Sequence, residues 1–350
     1  MGLLICFDLE GPLSPQDNAY EVMSLACGGD KIFEVLSFYD DMLTLEGRAG
    51  YEPGDTLALI VPFLLLHGIT VDDIRRVSDR AKIVGGAREL VSLLKEDGYD
   101  VHIISTSYEQ HAHNVGRRIG VEKENIACTK LNLSELKGKL KKSDFSSIKQ
   151  VEEDIKSFSL PDDQSKIFKC LDEFFFEDLK SSLDVFSEVR VVGGERKVEE
   201  MLKIADKDKV SLDEIIVVGD SITDYKMLGR VKEEGGIAVV FNGNEYAVPY
   251  ANIGLATIDI RFLQILKGLD TDSAIDLAGG WERDRSIFAR DPGSIPGATE
   301  DLRKLCNGIS DDYFPYFHSM KDADDAKIKD VVNIHKRFRK AVRGEAAKLG

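Results

Sequence analysis

The sequence is poor in cysteine, histidine, positive charge and long apolar runs, and each shortage closes a class of explanation. Five cysteines (Cys6, Cys27, Cys128, Cys170 and Cys306) are spread over 350 residues with no CxxC pair. That spacing argues against a structural zinc site and against a disulfide framework. The six histidines are too scattered for a convincing metal cluster. His111 and His113 lie two apart on a predicted helix, so they do not share a face, and both read as surface residues. With 46 Lys and Arg against 62 Asp and Glu, the net charge is -16. A chain this acidic is a poor candidate for binding a nucleic-acid backbone. The longest apolar run, Leu57 to Leu66, spans ten residues and contains Pro62, too short to cross a bilayer. The N-terminal MGLLICFDLE lacks the basic region of a signal peptide, and a cytoplasmic location is expected. No GxGxxG stands between a strand and a helix, and Gly193-Gly194 lacks a third glycine. That speaks against a dinucleotide-dependent oxidoreductase.

What is present is a core-forming balance of 43% apolar and 31% charged residues. The length implies one large domain with insertions, or two domains. Leu3–Phe7, Ile215–Val218 and Ile237–Phe241 are short unbroken apolar runs, and Tyr99–Ile104 is a similar, mostly apolar one. Runs apolar on both faces suit central strands of a parallel sheet covered by helices. Ala87, Leu90, Val91 and Leu94 recur at helical spacing before the second run, as do Val198, Met201, Leu202 and Ala205 before the third. The alternation predicts a doubly wound α/β core with a parallel sheet.

Core segments are expected at 1–13, 83–132 and 193–265. Residues 14–82 read as an inserted helical cap, and 133–192 as a second, smaller insertion. Residues 266–350 form a C-terminal extension with no strand signal, loop-like from Asp270 to Pro296 and helical at its end. Residues 331–350 carry six Lys or Arg against one Glu. The basic stretch Lys336, Arg337, Arg339, Lys340 and Arg343 reads as a solvated helix face or a docking tail for a protein partner.

Four features stand at strand ends or helix starts. Asp8 and Glu10 follow the first run, two apart, so on extended chain both carboxylates point the same way. Such a pair favours a bound cation or a raised pKa, and the two acids can serve as nucleophile and proton donor. Ser105-Thr106-Ser107 follows the second run, where hydroxyls and N–H groups suit a phosphate oxygen. Lys197 heads the helix before the third run. Asp220 and Asp224 follow that run and offer the hard oxygen ligands that Mg²⁺ takes. Each feature alone has a plainer reading as a solvated pair, a helix cap, a surface lysine or a turn. Their joint order along the chain is what argues for chemistry.

That order resembles the haloacid dehalogenase-like (HAD) hydrolase superfamily, in FDLEGPL (Phe7 to Leu13), HIIS (His102 to Ser105), Lys197 and VVGDSITD (Val217 to Asp224). Val84 to Ser105 and GGERKVEEML (Gly193 to Leu202) look like its phosphoserine phosphatase branch. Two departures stand out: Glu10 where most phosphatases of the superfamily have Asp, and the second insertion with the long tail. The Glu-bearing, tailed arrangement is also similar to an archaeal HAD-like group described as subunit R of energy-converting hydrogenase A.

The resemblance implies hydrolysis of a small phosphorylated metabolite through an aspartyl-phosphate. Asp8 would be the nucleophile and Glu10 the general acid and base. Ser105, Thr106 and Lys197 would bind phosphate. Asp8, Glu10 (through its carbonyl), Asp220 and Asp224 would form the Mg²⁺ site. Arg196 adjoins Lys197, and Lys197 is preferred because a compact ammonium neutralises a carboxylate and a phosphate oxygen together. The alternatives are a non-catalytic or regulatory subunit of a hydrogenase-type complex and a phosphotransferase using the same site. Arg48 and Arg75 are the cap cations that would meet a substrate carboxylate if they are not in exposed salt bridges.

Overall fold

The computed structural model describes residues 3–348. Residues 1, 2, 349 and 350, at the outer ends of the expected core and extension, lie outside the described residues. Seven strands form one sheet in the order β3-β2-β1-β4-β5-β6-β7. They are β1 (Leu3–Phe7), β2 (Tyr99–Tyr108), β3 (Ile126–Thr129), β4 (Ile215–Gly219), β5 (Ile237–Phe241), β6 (Ile253–Ala256) and β7 (Tyr316–Ser319). All neighbours are parallel except β6 and β7. This is the α/β architecture read from the sequence.

The apolar runs become central strands because both sheet faces are covered. Ile5 and Phe7 pack into one layer with Leu90, Ile103 and Val218. Leu4 and Cys6, pointing the other way, pack with Val198, Met201 and Val217. Register brings Phe7 level with Ile103 on one side and Val218 on the other. The Asp8 N–H then extends the ladder to the Val218 carbonyl at 2.8 Å. The chain winds outward from β1 in both directions, so the gap between β1 and β4 is the topological switch point where α/β sheets hold ligands.

The two insertions are one body. Helices Gly29–Glu46 and Val61–Leu66 from the first pack on Lys142–Ser157 and Gln164–Glu173 from the second. Leu36, Leu64, Ile148, Ile155 and Leu171 share a single buried cluster distinct from the two sheet layers. Together they build a helical cap with its own core. Among the described residues, no single helix is long and apolar enough to cross a membrane.

The extension differs from its reading as strandless and loop-like. Thr271–Arg290 is a 20-residue helix. Asp270 caps it by accepting from the Ser273 N–H at 2.8 Å, and Ala274, Ile275, Ala278, Trp281 and Phe288 line its buried face. Gly279-Gly280 masked this helix in the sequence, since glycine disfavours a helix interior. Tertiary packing overrides that preference. The four-residue β7 was too short to show a period, yet it closes the sheet edge against β6.

Candidate active site

Asp8, Thr106, Lys197, Asp220 and Asp224 converge at the carboxyl ends of β1, β2 and β4. Asp8 leaves β1 as a buried residue, 3% exposed. Lys197 stands in the first turn of helix Glu195–Asp208 and is wholly buried. Its ammonium donates to Asp8 Oδ1 and to Asp224 Oδ1, both at 2.6 Å. Asp224 Oδ2 accepts the N–H groups of Asp220 (2.9 Å) and Ser221 (3.0 Å), tying the loop after β4 to the same lysine. Lys197, not Arg196, faces the carboxylates. Arg196 turns to the cap, where it pairs bidentately with Asp55 and donates to the Gly50 carbonyl at 3.1 Å.

Burial pushes the Asp8 carboxyl up to about 7; Asp224 adds to the rise and Lys197 opposes it. Burial pulls on the Lys197 ammonium, but the charges of Asp224 and Asp8 hold it above the usual lysine range. Glu10 is pushed up to about 8, first by burial and then by the nearby Asp17 carboxylate. Glu10 Oε1 accepts the Asn18 N–H at 3.0 Å. That acid therefore holds its proton at neutral pH, the state a general acid needs.

Ser105 is fully buried, and its Oγ accepts the Ser107 N–H at 3.1 Å. Thr106 instead lines the cavity above Asp8. Its carbonyl accepts from Thr129 Oγ1 at 2.6 Å, which anchors β2 to β3 just beyond the site.

The acidic cluster fits a divalent cation. Asp8, Asp220 and Asp224 each offer a carboxylate oxygen, all within 4.8 Å of one another. Asp220 Oδ1 is buried and has no hydrogen-bond partner, a costly condition for a carboxylate oxygen unless a ligand meets it. Gly11 backs this residue with a φ of +122°, and a Cβ there would stand 2.3 Å from Asp220 Cγ. Only glycine allows that approach. Of the four residues proposed for Mg²⁺, Asp224 has both oxygens engaged by Lys197 and the loop, and the Glu10 carboxylate stands outside the cluster.

The cap is closed. Cap residue Gly54 meets the core so tightly that a Cβ would lie 2.9 Å from Thr106 Cγ2 and 3.2 Å from Thr223 Cγ2. Lys226 holds the neighbouring Glu52 at 2.9 Å and 3.0 Å. What remains over Asp8 is a cavity of about 70 Å³, far below the roughly 300–1,000 Å³ of a small-molecule site. A larger cleft of about 700 Å³ opens beside His102, Cys128 and Lys207, and it contains none of these residues. The chemistry, not the volume, identifies the site.

Two sequence-based readings are corrected here. His111 is not a surface residue: it is wholly buried behind Glu10, with Nε2 3.5 Å from Glu10 Oε1 and Nδ1 3.0 Å from Ser78 Oγ. Burial drives its pKa down to about 3, so it stands neutral. Its spacing from Ala112, Val115 and Ile119 was the available signal, since these occupy the buried face of helix Glu109–Ile119. The basic C-terminal stretch is not uniformly a solvated face or a docking tail. Lys336, Arg337 and Lys340 are exposed, whereas Arg339 is buried and both Arg339 and Arg343 bind Asp220. Arg339 continues the stripe Val331, Val332, His335 and Phe338, and Arg343 lies one turn further. The cap cations do not reach the cavity: Arg48 pairs with Asp172 at 2.7 Å, and Arg75 with Asp72 at 2.9 Å.

These motifs, held at the switch point of this sheet beneath a helical cap, give the chain a haloacid dehalogenase-like fold and make it similar to phosphoserine phosphatases. The particular likeness is to gene product AF1437 from Archaeoglobus fulgidus, 27% identical, with a TM-score of 0.76 over 100% of this chain and 99% of that one. A phosphoserine phosphatase of the same organism is 21% identical over 263 residues, which is 73% of this chain and 59% of that protein. The chain thus matches under two thirds of that relative's length. A substrate-bound phosphoserine phosphatase shares the fold at a TM-score of 0.50 and 17% identity, over 75% of this chain and 97% of that one. No family model matches the chain.

Proposed function

We propose that the chain is a Mg²⁺-dependent phosphatase acting on a small phosphate monoester through an aspartyl-phosphate on Asp8. The observation that carries this reading is the Asp8–Lys197–Asp224 ion triad beside an Asp220 oxygen without a partner. A nucleophilic carboxylate must approach an anionic phosphoryl group, so positive charge has to be in place beforehand. Lys197 supplies part of it. Asp8, Asp220 and the Glu10 carbonyl would hold Mg²⁺, which supplies the remaining charge neutralisation when bound.

An Asp8 oxygen attacks phosphorus while the bond to the leaving alcohol breaks. Glu10 gives that alcohol its proton. Glu10, now a carboxylate, takes a proton from the water that attacks the acyl-phosphate, and inorganic phosphate leaves with Asp8 restored. Thr106 and the N–H groups beside it hold the phosphoryl oxygens together with Lys197, and Ser105 supports that turn. His111 sits neutral behind Glu10 and limits its rotation. The closed cap excludes bulk water during the first transfer, so substrate entry requires it to open.

The test is release of inorganic phosphate from p-nitrophenyl phosphate and from O-phosphoserine with Mg²⁺. Wild type is expected to turn over. Asp8→Asn, which preserves shape but not the nucleophile, is expected to lose at least about 10³-fold in kcat, the scale of removing a group that acts in the transition state. Equal rates for the two proteins would refute the reading.

A further inference from the structure

The C-terminal helix Asp325–Arg343 returns to the catalytic end of the sheet. His335 Nδ1 accepts the Gly243 N–H at 3.0 Å, pinning the helix to the loop after β5. One turn on, Arg339 donates through Nη1 to Asp220 Oδ2 and through Nε to the Ala347 carbonyl at 3.2 Å. Arg343 donates through Nη1 to the same Asp220 oxygen at 3.0 Å and through Nε to the Pro15 carbonyl at 3.2 Å. Two guanidinium groups therefore share one carboxylate oxygen, and the other oxygen, Oδ1, has no hydrogen-bond partner.

We infer that Arg339 and Arg343 are positioning residues for the cation site: they hold Asp220 by Oδ2 so that Oδ1 is presented to a divalent cation. The inference rests on the cation in the proposed reaction. Its physical basis is that charge-assisted hydrogen bonds to a ligating carboxylate fix its rotation, and the loss of such partners weakens metal binding. The two arginines also offset the charge of Asp8, Asp220 and Asp224, which Lys197 alone leaves uncompensated in a buried site.

An opposing effect exists, because nearby positive charge repels a cation. The geometry decides between the two. Both guanidinium groups approach Oδ2, and none occupies Oδ1. Had they stood in for the cation, the orphan oxygen would be the one they satisfy. The extension is then part of the catalytic centre, and the sign of the effect is defined.

The experiment measures Mn²⁺ binding to the full-length protein by electron paramagnetic resonance, with Mg²⁺ competing. Arg343→Gln is expected to bind Mn²⁺ about 10- to 100-fold more weakly, and Arg343→Lys to recover part of that loss. In turnover of p-nitrophenyl phosphate, Arg343→Gln should raise the Mg²⁺ concentration needed for half-maximal rate. Arg339→Gln should act in the same direction, and Arg343→Gln carries the test if that buried replacement prevents folding. Equal or tighter binding in Arg343→Gln would overturn the inference. If wild type binds Mn²⁺ and Asp220→Asn abolishes it while the arginine variants match wild type, the tail assignment alone fails. If wild type binds no Mn²⁺, the cation in the proposed reaction fails, and this inference with it.

Discussion

Asp17 bears on the charge state of Glu10. It caps the helix Asn18–Met23 by accepting the Tyr20 N–H at 2.9 Å, and its carboxylate is the largest charge effect raising Glu10. Glu10 is protonated below about 8 and loses its proton above it. The general acid reading therefore puts an alkaline limb near pH 8 in kcat/KM. Asp17→Asn keeps the cap and removes the charge. The Glu10 pKa then falls and the limb moves to lower pH, as a pH-rate profile would show. A limb that stays in place would mean that another group titrates there. At this scale the sequence was most legible at strand ends and helix starts, because Asp8 and Asp220 follow buried apolar runs and Lys197 begins an amphipathic helix. Asp17, His111 and Arg343 are brought to the site by contacts between distant segments, and only helical phase hinted at the last two.

Between elements, the cap and the core are tied by an ion pair whose carboxylate is buried. Arg196 stands in the first turn of the helix that carries Lys197, and its partner Asp55 sits 2% exposed in the cap. The same helix thus aims one cation at Asp8 and the adjacent one at the cap. Removing one member of a buried pair leaves an uncompensated charge and costs about 3–5 kcal/mol. Arg196→Met is expected to lose stability on that scale in urea unfolding. The double variant Arg196→Met/Asp55→Asn is expected to recover much of the loss. If the double variant is as unstable as the single, packing and not charge is what Arg196 supplies. The central strands and their flanking helices were readable from period alone. The joining of the two insertions was not, because each reads as amphipathic helices whose partners the local sequence does not name. Helix Thr271–Arg290 and strand β7 were missed for opposite reasons, a glycine pair inside a helix and a strand too short for a period.

Across the whole molecule, the net charge of -16 describes solubility and conceals the arrangement at the site. The last twenty residues are net positive, and two of their arginines neutralise a carboxylate that ends β4, more than a hundred residues earlier in the chain. Lys197, Arg339 and Arg343 are thus gathered against the carboxylates where β1 and β4 part. The account depends on Asp8 forming a covalent acyl-phosphate. The most direct measurement quenches the protein during turnover of p-nitrophenyl phosphate, reduces it with borohydride and sequences the peptides by mass spectrometry. An acyl-phosphate on Asp8 is reduced to homoserine, so the account predicts homoserine at position 8 in wild type with substrate and none without substrate. Phosphate release with Asp8 left unmodified would contradict it.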